Sequence, residues 1–234
     1  MNPEQHTWGV IFDMDGVLID SYRAHFLSWR KMLRNHGLDI TEEQFAATFG
    51  RTNPDIFARL YPSVKKEHYP VLAEEKEAAF REIISADFPE MKGASELIKA
   101  LHEAGAALAI GSSGPRENLE AVLNALPGGT HFMATTNGSE LTWGKPDPEV
   151  FLTAARKLGL PPERCVVVED ASVGVAAGKA AGCAVIAITG TATREHLKDA
   201  DLVVDSLREL TPEIFKDLIF SLHQSKAFTT PLKP

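Results

Sequence analysis

The sequence predicts an α/β fold, a parallel sheet with helices on both faces, carrying an inserted all-helical segment near its start. Three observations carry this. Short apolar, β-rich runs recur along the chain, helix-length amphipathic stretches separate most of them, and from Ser21 to about Pro89 no convincing strand occurs. Strands alternating with helices imply right-handed crossovers and a parallel sheet, and such sheets bind ligands at the carboxyl ends of their strands.

The elements follow in order. Thr7 to Asp13, with Trp8-Gly-Val-Ile-Phe, reads as a central strand that Gly16 breaks. Similar runs span Ala106 to Gly111, Cys165 to Glu169, Ala184 to Ile188 and Asp201 to Val204, with a weaker one at His131 to Thr135. Between them, Ala94 to Ala104 sets Leu97, Ile98 and Leu101 on one face and meets Gly105, a residue suited to ending a helix. Pro115 to Leu126, Pro148 to Leu158 and Ser172 to Ala181 behave alike. In the insertion, Tyr22, Phe26, Trp29 and Leu33 form one apolar stripe. At the far end, Thr211-Pro-Glu opens a last short helix with Ile214, Phe215, Leu218 and Ile219, and Gln224 to Pro234 reads as a frayed tail.

With 234 residues, 44% hydrophobic and 24% charged, the chain has room for one core with a sizeable insertion or for two modest domains. Lys and Arg number 24 against 32 Asp and Glu, and the net charge of −8 disfavours a nucleic-acid binder. No apolar run approaches a membrane span and no targeting signal is visible. Cys165 and Cys183 are too few for a disulfide framework and read as structural thiols of a reducing compartment. A cytoplasmic monomer without nucleic-acid or membrane partner is expected.

The chemistry gathers at the strand ends. Asp13 and Asp15, two residues apart in Asp-Met-Asp-Gly-Val, face the same side if the strand geometry persists. Like charges that close require a raised proton affinity or a bound cation. Asp13 is then a candidate nucleophile toward phosphorus and Asp15 a candidate proton carrier, the alternative being an Asx turn closing the strand. Gly111-Ser112-Ser113-Gly114-Pro115 is a glycine-bounded turn opening a helix, suited to phosphate. Lys145, in Gly-Lys-Pro-Asp-Pro, could neutralise a nucleophile and a transferring phosphoryl group. Glu169-Asp170 ends another buried strand with hard oxygen ligands suited to Mg²⁺. Four carboxylates in one crevice need a divalent cation and Lys145, and that need itself points to phosphoryl transfer.

Asp-Met-Asp-Gly-Val-Leu-Ile-Asp-Ser at 13–21, Ser112, Gly-Lys-Pro-Asp-Pro at 144–148 and Val-Val-Glu-Asp-Ala-Ser-Val-Gly at 167–174 resemble the four ordered motifs of the haloacid dehalogenase superfamily. The resemblance implies a Rossmann-like core at 1–20 and 90–234 with a helical cap domain at 21–89. It implies that Asp13 forms an aspartyl-phosphate and that Asp15 acts as general acid, then base. Ser112 and Lys145, with Ser113 beside them, would hold phosphate. Asp13, the Asp15 carbonyl and Asp170 would bind Mg²⁺ with help from Glu169. Members that cleave carbon–halogen bonds lack the second aspartate, so Asp15 argues for a phosphate ester.

A narrower resemblance, to the β-phosphoglucomutase and sugar-phosphatase subgroup, rests on Asp20-Ser21 followed by His25 and Trp29, with Lys76 where a cap lysine is expected. His25 is expected to steer the catalytic proton, against the simpler reading of a histidine on the polar side of a packing helix. Two departures weigh against a mutase. In Phe49-Gly50-Arg51-Thr52-Asn53, Asn53 stands where an arginine would grip a second phosphate, with Arg51 displaced by two residues. After Ser112, the chain reads Ser113-Gly114-Pro115-Arg116 in place of the Lys-Asn pair of mutases. The substrate set is therefore His25, Gly50, Arg51, Asn53, Lys76 and Arg116. The expected activity is a Mg²⁺-dependent phosphatase of a small phosphorylated metabolite such as a sugar phosphate, the alternatives being a mutase and a catalytically idle binding protein. Gly174 to Ala180 superficially matches a nucleotide loop but has the wrong glycine spacing and reads as close helix packing. Lys65-Lys66-Glu67-His68 reads as a solvated face.

Overall fold

The structure, a computed structural model, describes residues 6–49 and 51–229, with residues 222–229 as backbone alone. The described chain forms two compact units, one running to Ile19 and resuming at Glu90, the other spanning Asp20–Pro89.

In chain order, β1 (Gly9–Phe12) is followed by the helices of the second unit, α1 (Tyr22–Asn35), α2 (Glu42–Ala46), α3 (Asn53–Leu60) and α4 (Tyr69–Ala86). The first unit resumes with α5 (Ala94–Glu103), β2 (Ala107–Gly111), α6 (Arg116–Ala125) and β3 (Phe132–Thr136). It continues through α7 (Glu149–Leu158), β4 (Cys165–Glu169), α8 (Ser172–Ala181), β5 (Ala184–Ile188), β6 (Leu202–Val204) and α9 (Pro212–Thr229). The six strands lie in the order β3-β2-β1-β4-β5-β6, every pairing parallel.

Register places the site. Phe12 pairs with Ile110 on one side and with Val168 on the other. One residue further, Asp13 emerges between the ends of β2 and β4, its N–H donating to the Val168 carbonyl at 2.9 Å. The strands β1, β2, β4 and β5 are buried along their whole length, which is why their sequences read as unbroken apolar runs. β3 reads weakly because it is an edge strand whose Met133 is exposed. Ile11, Ala109 and Val167 pack with Val150 and Phe151 of α7 and Val175 of α8 in one core.

The second unit has its own core, in which Trp29 and Leu33 of α1 meet Phe45, Ile56 and Phe57. Tyr22 and Phe26 pack against that cluster from its margin, and Tyr22 meets the rings of Phe45 and Phe49. The unit's two ends lie together, the Asp20 N–H donating to the Pro89 carbonyl at 2.8 Å. Thr41 opens α2 with a capping box closed by Gln44, and Thr52 accepts the Asp55 N–H at the start of α3.

The last helix departs from the sequence expectation. The segment read as fraying from Gln224 stays helical to Thr229, since no glycine or proline intervenes before Pro231 and Gln224, Lys226 and Ala227 favour helix. Gly178 proves to be a packing position, where a methyl would lie 2.8 Å from Val185 Cγ2. Among the described residues, no helix is long and apolar enough to cross a membrane.

Candidate active site

The carboxyl edge of the first unit brings Asp13, Lys145, Glu169 and Asp170 together. Asp13 follows β1, Glu169 ends β4 and Asp170 begins the turn into α8, so adjacent strands supply three buried carboxylates. Oxygens of these three lie within 4.8 Å of one another. Lys145 reaches in from the loop before α7. Its Nζ donates to Asp13 Oδ1 at 2.7 Å and to Glu169 Oε1 at 2.6 Å, and it stands 5.0 Å from the ring centre of Phe151.

Glu169 is the most constrained member. Its Oε2 accepts the N–H groups of Asp170 and Ala171 at 2.8 and 2.9 Å, folding the carboxylate back over the turn into α8. Asp170 packs against Gly16, whose φ of +73° favours glycine. A methyl there would lie 1.9 Å from Asp170 Oδ2.

The electrostatics follow from burial. Burial pushes the Asp13 carboxyl well above the usual range; Lys145 pulls against that while Glu169 and Asp15 add to it. Asp170 is raised in the same way, first by burial and then by Glu169 and Asp13, with the Thr191 hydroxyl pulling the other way. Burial would lower Lys145, but Asp13 and Glu169 outweigh it and hold the ammonium charged. One ammonium facing three buried carboxylates leaves an excess of hard anionic donors, which fits a divalent cation. Glu169 already engages both oxygens with Lys145 and the turn, so Asp13 and Asp170 are the carboxylates best disposed to face an ion.

The remaining predicted residues fall into separate groups. Asp15 is half-buried, close enough to raise Asp13, and bridges to Ile19. Ser112 is buried beyond β2 and its Oγ accepts the Gly114 N–H at 3.0 Å, whereas Ser113 is exposed. Arg116 is exposed and ion-paired along α6 with Glu120 at 2.6 Å. In the helical unit, Lys76 Nζ lies 2.9 Å from both His25 Nδ1 and Glu77 Oε1, and Asn53 Nδ2 donates to Glu77 Oε1 at 2.8 Å. His25 stacks on Phe80 with ring centres 4.2 Å apart. Arg51 is exposed, and Gly50 lies outside the described residues.

Sequence reasoning missed Glu77 and Thr191. Glu77 is one of several acids on α4, and only its burial sets it apart. Thr191 follows β5 in a Thr-Gly-Thr-Ala-Thr stretch, and nothing local distinguishes it from its neighbours.

A carboxylate at the end of a central strand, neutralised by one lysine beside a place for a metal, equips a doubly wound α/β protein for hydrolytic group transfer. The chain belongs to the haloacid dehalogenase-like hydrolase family, whose model matches residues 9–182. It is thus an enzyme with a Rossmann-like core. It is 36% identical over 210 residues to hexitol phosphatase A of Escherichia coli, spanning 87% of this chain and 93% of that protein. It is 28% identical over 219 residues to β-phosphoglucomutase of Bacillus subtilis, spanning 89% of this chain and 93% of that one. Among solved structures, β-phosphoglucomutase from Clostridium difficile superposes with a TM-score of 0.80 at 26% identity, covering 93% of this chain and 99% of that one.

Proposed function

We propose that this enzyme is a Mg²⁺-dependent phosphatase of a small phosphorylated metabolite, a sugar or sugar-alcohol phosphate, acting in the cytoplasm through an aspartyl-phosphate. The observation that carries the reading is the Lys145 ammonium bridging Asp13 and Glu169 beside Asp170. The likeness to hexitol phosphatase A supports the substrate class.

Asp13 attacks phosphorus and the bond from phosphorus to the ester oxygen breaks. Asp15 gives its proton to the departing alcohol oxygen. Water then attacks the phosphoryl group on Asp13 while Asp15 takes its proton, so that the bond from Asp13 to phosphorus breaks, phosphate is released, the Asp13 carboxylate is restored and Asp15 is again protonated. Lys145 holds Asp13 in place and offsets charge on the phosphoryl oxygens, while Ser112, Ser113 and the amides of their turn receive those oxygens. Asp13, the Asp15 carbonyl and Asp170, with Glu169 alongside, would hold Mg²⁺, which when bound aligns the phosphoryl group and offsets its charge. The helical unit is, on this reading, the family's cap, and His25, Gly50, Arg51, Asn53 and Lys76, with Arg116 of the core, select the substrate.

A mutase is the second reading, favoured by the likeness to β-phosphoglucomutases. Against it, Asn53 is engaged with Glu77, so the position read as the second-phosphate grip carries an amide beside a carboxylate. Hexitol and hexose phosphates with Mg²⁺ should release inorganic phosphate, and Asp13→Asn should abolish release. Asp15→Asn should retain metal binding but slow turnover by at least ~10². Supplying β-glucose 1-phosphate with a trace of its bisphosphate separates the readings, since glucose 6-phosphate in place of free phosphate would identify a mutase. Undiminished release by Asp13→Asn would refute the nucleophile.

A further inference from the structure

We propose that Gly138 is a positioning residue for the phosphate-binding turn: the connection leaving β3 acts as a backstop that fixes the main chain of Ser112–Gly114. The proposal rests on the reading of that turn given above.

Pro115, at the N-cap of α6, makes no side-chain cap, and within the turn the Gly114 N–H donates to the Ser112 hydroxyl at 3.0 Å. The neighbouring strand and the connection leaving it hold the turn through its backbone. The Ser112 N–H donates to the Thr136 carbonyl at 3.0 Å, and the Gly138 N–H donates to the Gly114 carbonyl at 2.8 Å. The chain leaving β3 therefore grips the turn at both ends.

Contact between the two is backbone to backbone. A methyl on Gly138 would lie 2.2 Å from the Ser113 carbonyl oxygen and 3.2 Å from that of Gly114. Gly138 is not among the glycines with positive φ, so its backbone would accept another residue. Space alone demands glycine there, and neither atom in the way is a side chain that could turn aside.

Gly138 is itself held firmly. Asn137, buried, closes a capping box over the short 3-10 turn Gly138–Glu140, accepting the Ser139 N–H at 3.0 Å while Glu140 Oε1 accepts the Asn137 N–H at 3.2 Å. Lys157 of α7 ties Glu140 to the Thr135 carbonyl, donating to the latter at 2.5 Å. An added methyl would thus be relieved by movement of Ser113, which is exposed, and with it of Gly114, since Gly138 is tied down by the capping box.

Displacing those residues moves the amides that receive the phosphoryl oxygens and leaves the carboxylates beyond β1 and β4 untouched. The test is binding of inorganic phosphate by calorimetry to the Mg²⁺-loaded protein, together with the Mg²⁺ midpoint read from thermal shifts without phosphate. Gly138→Ala should weaken phosphate at least tenfold while the Mg²⁺ midpoint stays within twofold. Asn137→Ala, which removes the capping box and adds no bulk, should weaken phosphate severalfold in the same pattern and serves if Gly138→Ala does not fold. Phosphate affinity within twofold of wild type in a folded variant would overturn the proposal, as would equal losses of phosphate and Mg²⁺. Ser112→Ala in the parent enzyme is the control. Unchanged phosphate affinity there would mean that the turn does not bind phosphate and that the underlying reading fails, whereas a loss there with none in Gly138→Ala would overturn the backstop alone.

Discussion

A methyl group on Gly174 would fall 1.7 Å from Oε1 of Glu169, the same oxygen that receives Lys145. The third residue of α8 and the last residue of β4 thus share one space, and the carboxylate fills the volume that a side chain would take. The lysine bridge between Asp13 and Glu169 depends on this absence as much as on the charges.

Gly174→Ala should therefore cost activity and stability together. Helix propensity alone would favour alanine by about 1 kcal/mol, but overpacking against a fixed carboxylate costs about 1–3 kcal/mol, and more where a charge must shift. The clash wins. A lowered urea midpoint together with at least a tenfold loss of kcat is expected, and a variant as stable and as active as wild type would show that Glu169 can move without consequence.

The central strand ends were legible because each motif marks an abrupt passage from buried apolar strand to charged turn, as at Phe12-Asp13 and Val168-Glu169. Lys145 announced itself through the proline-rich turn around it. The hidden parts are those whose reason lies across space. Gly138 and Gly174 look like ordinary turn and helix glycines in sequence, and only the neighbouring Ser113 carbonyl and Glu169 carboxylate explain them. Glu77 looks like another surface acid of α4 until its burial against Lys76 and Asn53 is visible. The edge strand β3 was faint because half-burial weakens the apolar run, and α9 outran its expected end because helix formers leave no mark of where packing stops.

Alkaline stability should report on Cys165. Burial pushes its thiol up to about 12, with Glu163 adding to the effect. The native state therefore keeps a proton that the unfolded chain loses near its ordinary thiol value, and the associated stability is intact below about pH 9 and lost as pH rises toward 12. The decline should approach, at most, about 1.4 kcal/mol per pH unit. Urea midpoints between pH 8 and 11 should fall more steeply for wild type than for Cys165→Ala, whatever the variant's starting stability. Parallel slopes would remove the thiol from the account.

Within the helical unit, Lys76 and Glu77 form a buried pair with side chains 3% and 7% exposed. Removing one member of such a buried pair costs about 3–5 kcal/mol, whereas neutralising both removes the desolvation penalty along with the attraction. Lys76→Met should destabilise by roughly 3 kcal/mol, and adding Glu77→Gln should recover part of it. The glutamine keeps an oxygen for Asn53. A double-mutant cycle on urea unfolding reads the coupling. Strict additivity would mean that solvent screens the two charges.

Asp170 should trade stability for metal. Its carboxyl is raised first by burial and then by Glu169 and Asp13, so its ionised form opposes folding near neutral pH. Asp170→Asn removes that charge with little change in shape and should raise the melting temperature in EDTA at pH 8. With Mg²⁺ the order should reverse. Bound ligand stabilises by about 2.7 kcal/mol at one hundred times its Kd, which for a protein of this size corresponds to roughly 5–10 °C for wild type. The variant, lacking an anionic donor, should gain little at the same concentration. Thermal melts of both proteins with and without Mg²⁺ make the comparison, and equal Mg²⁺ shifts would place the ion away from Asp170 and leave the acidic cluster to Lys145 alone.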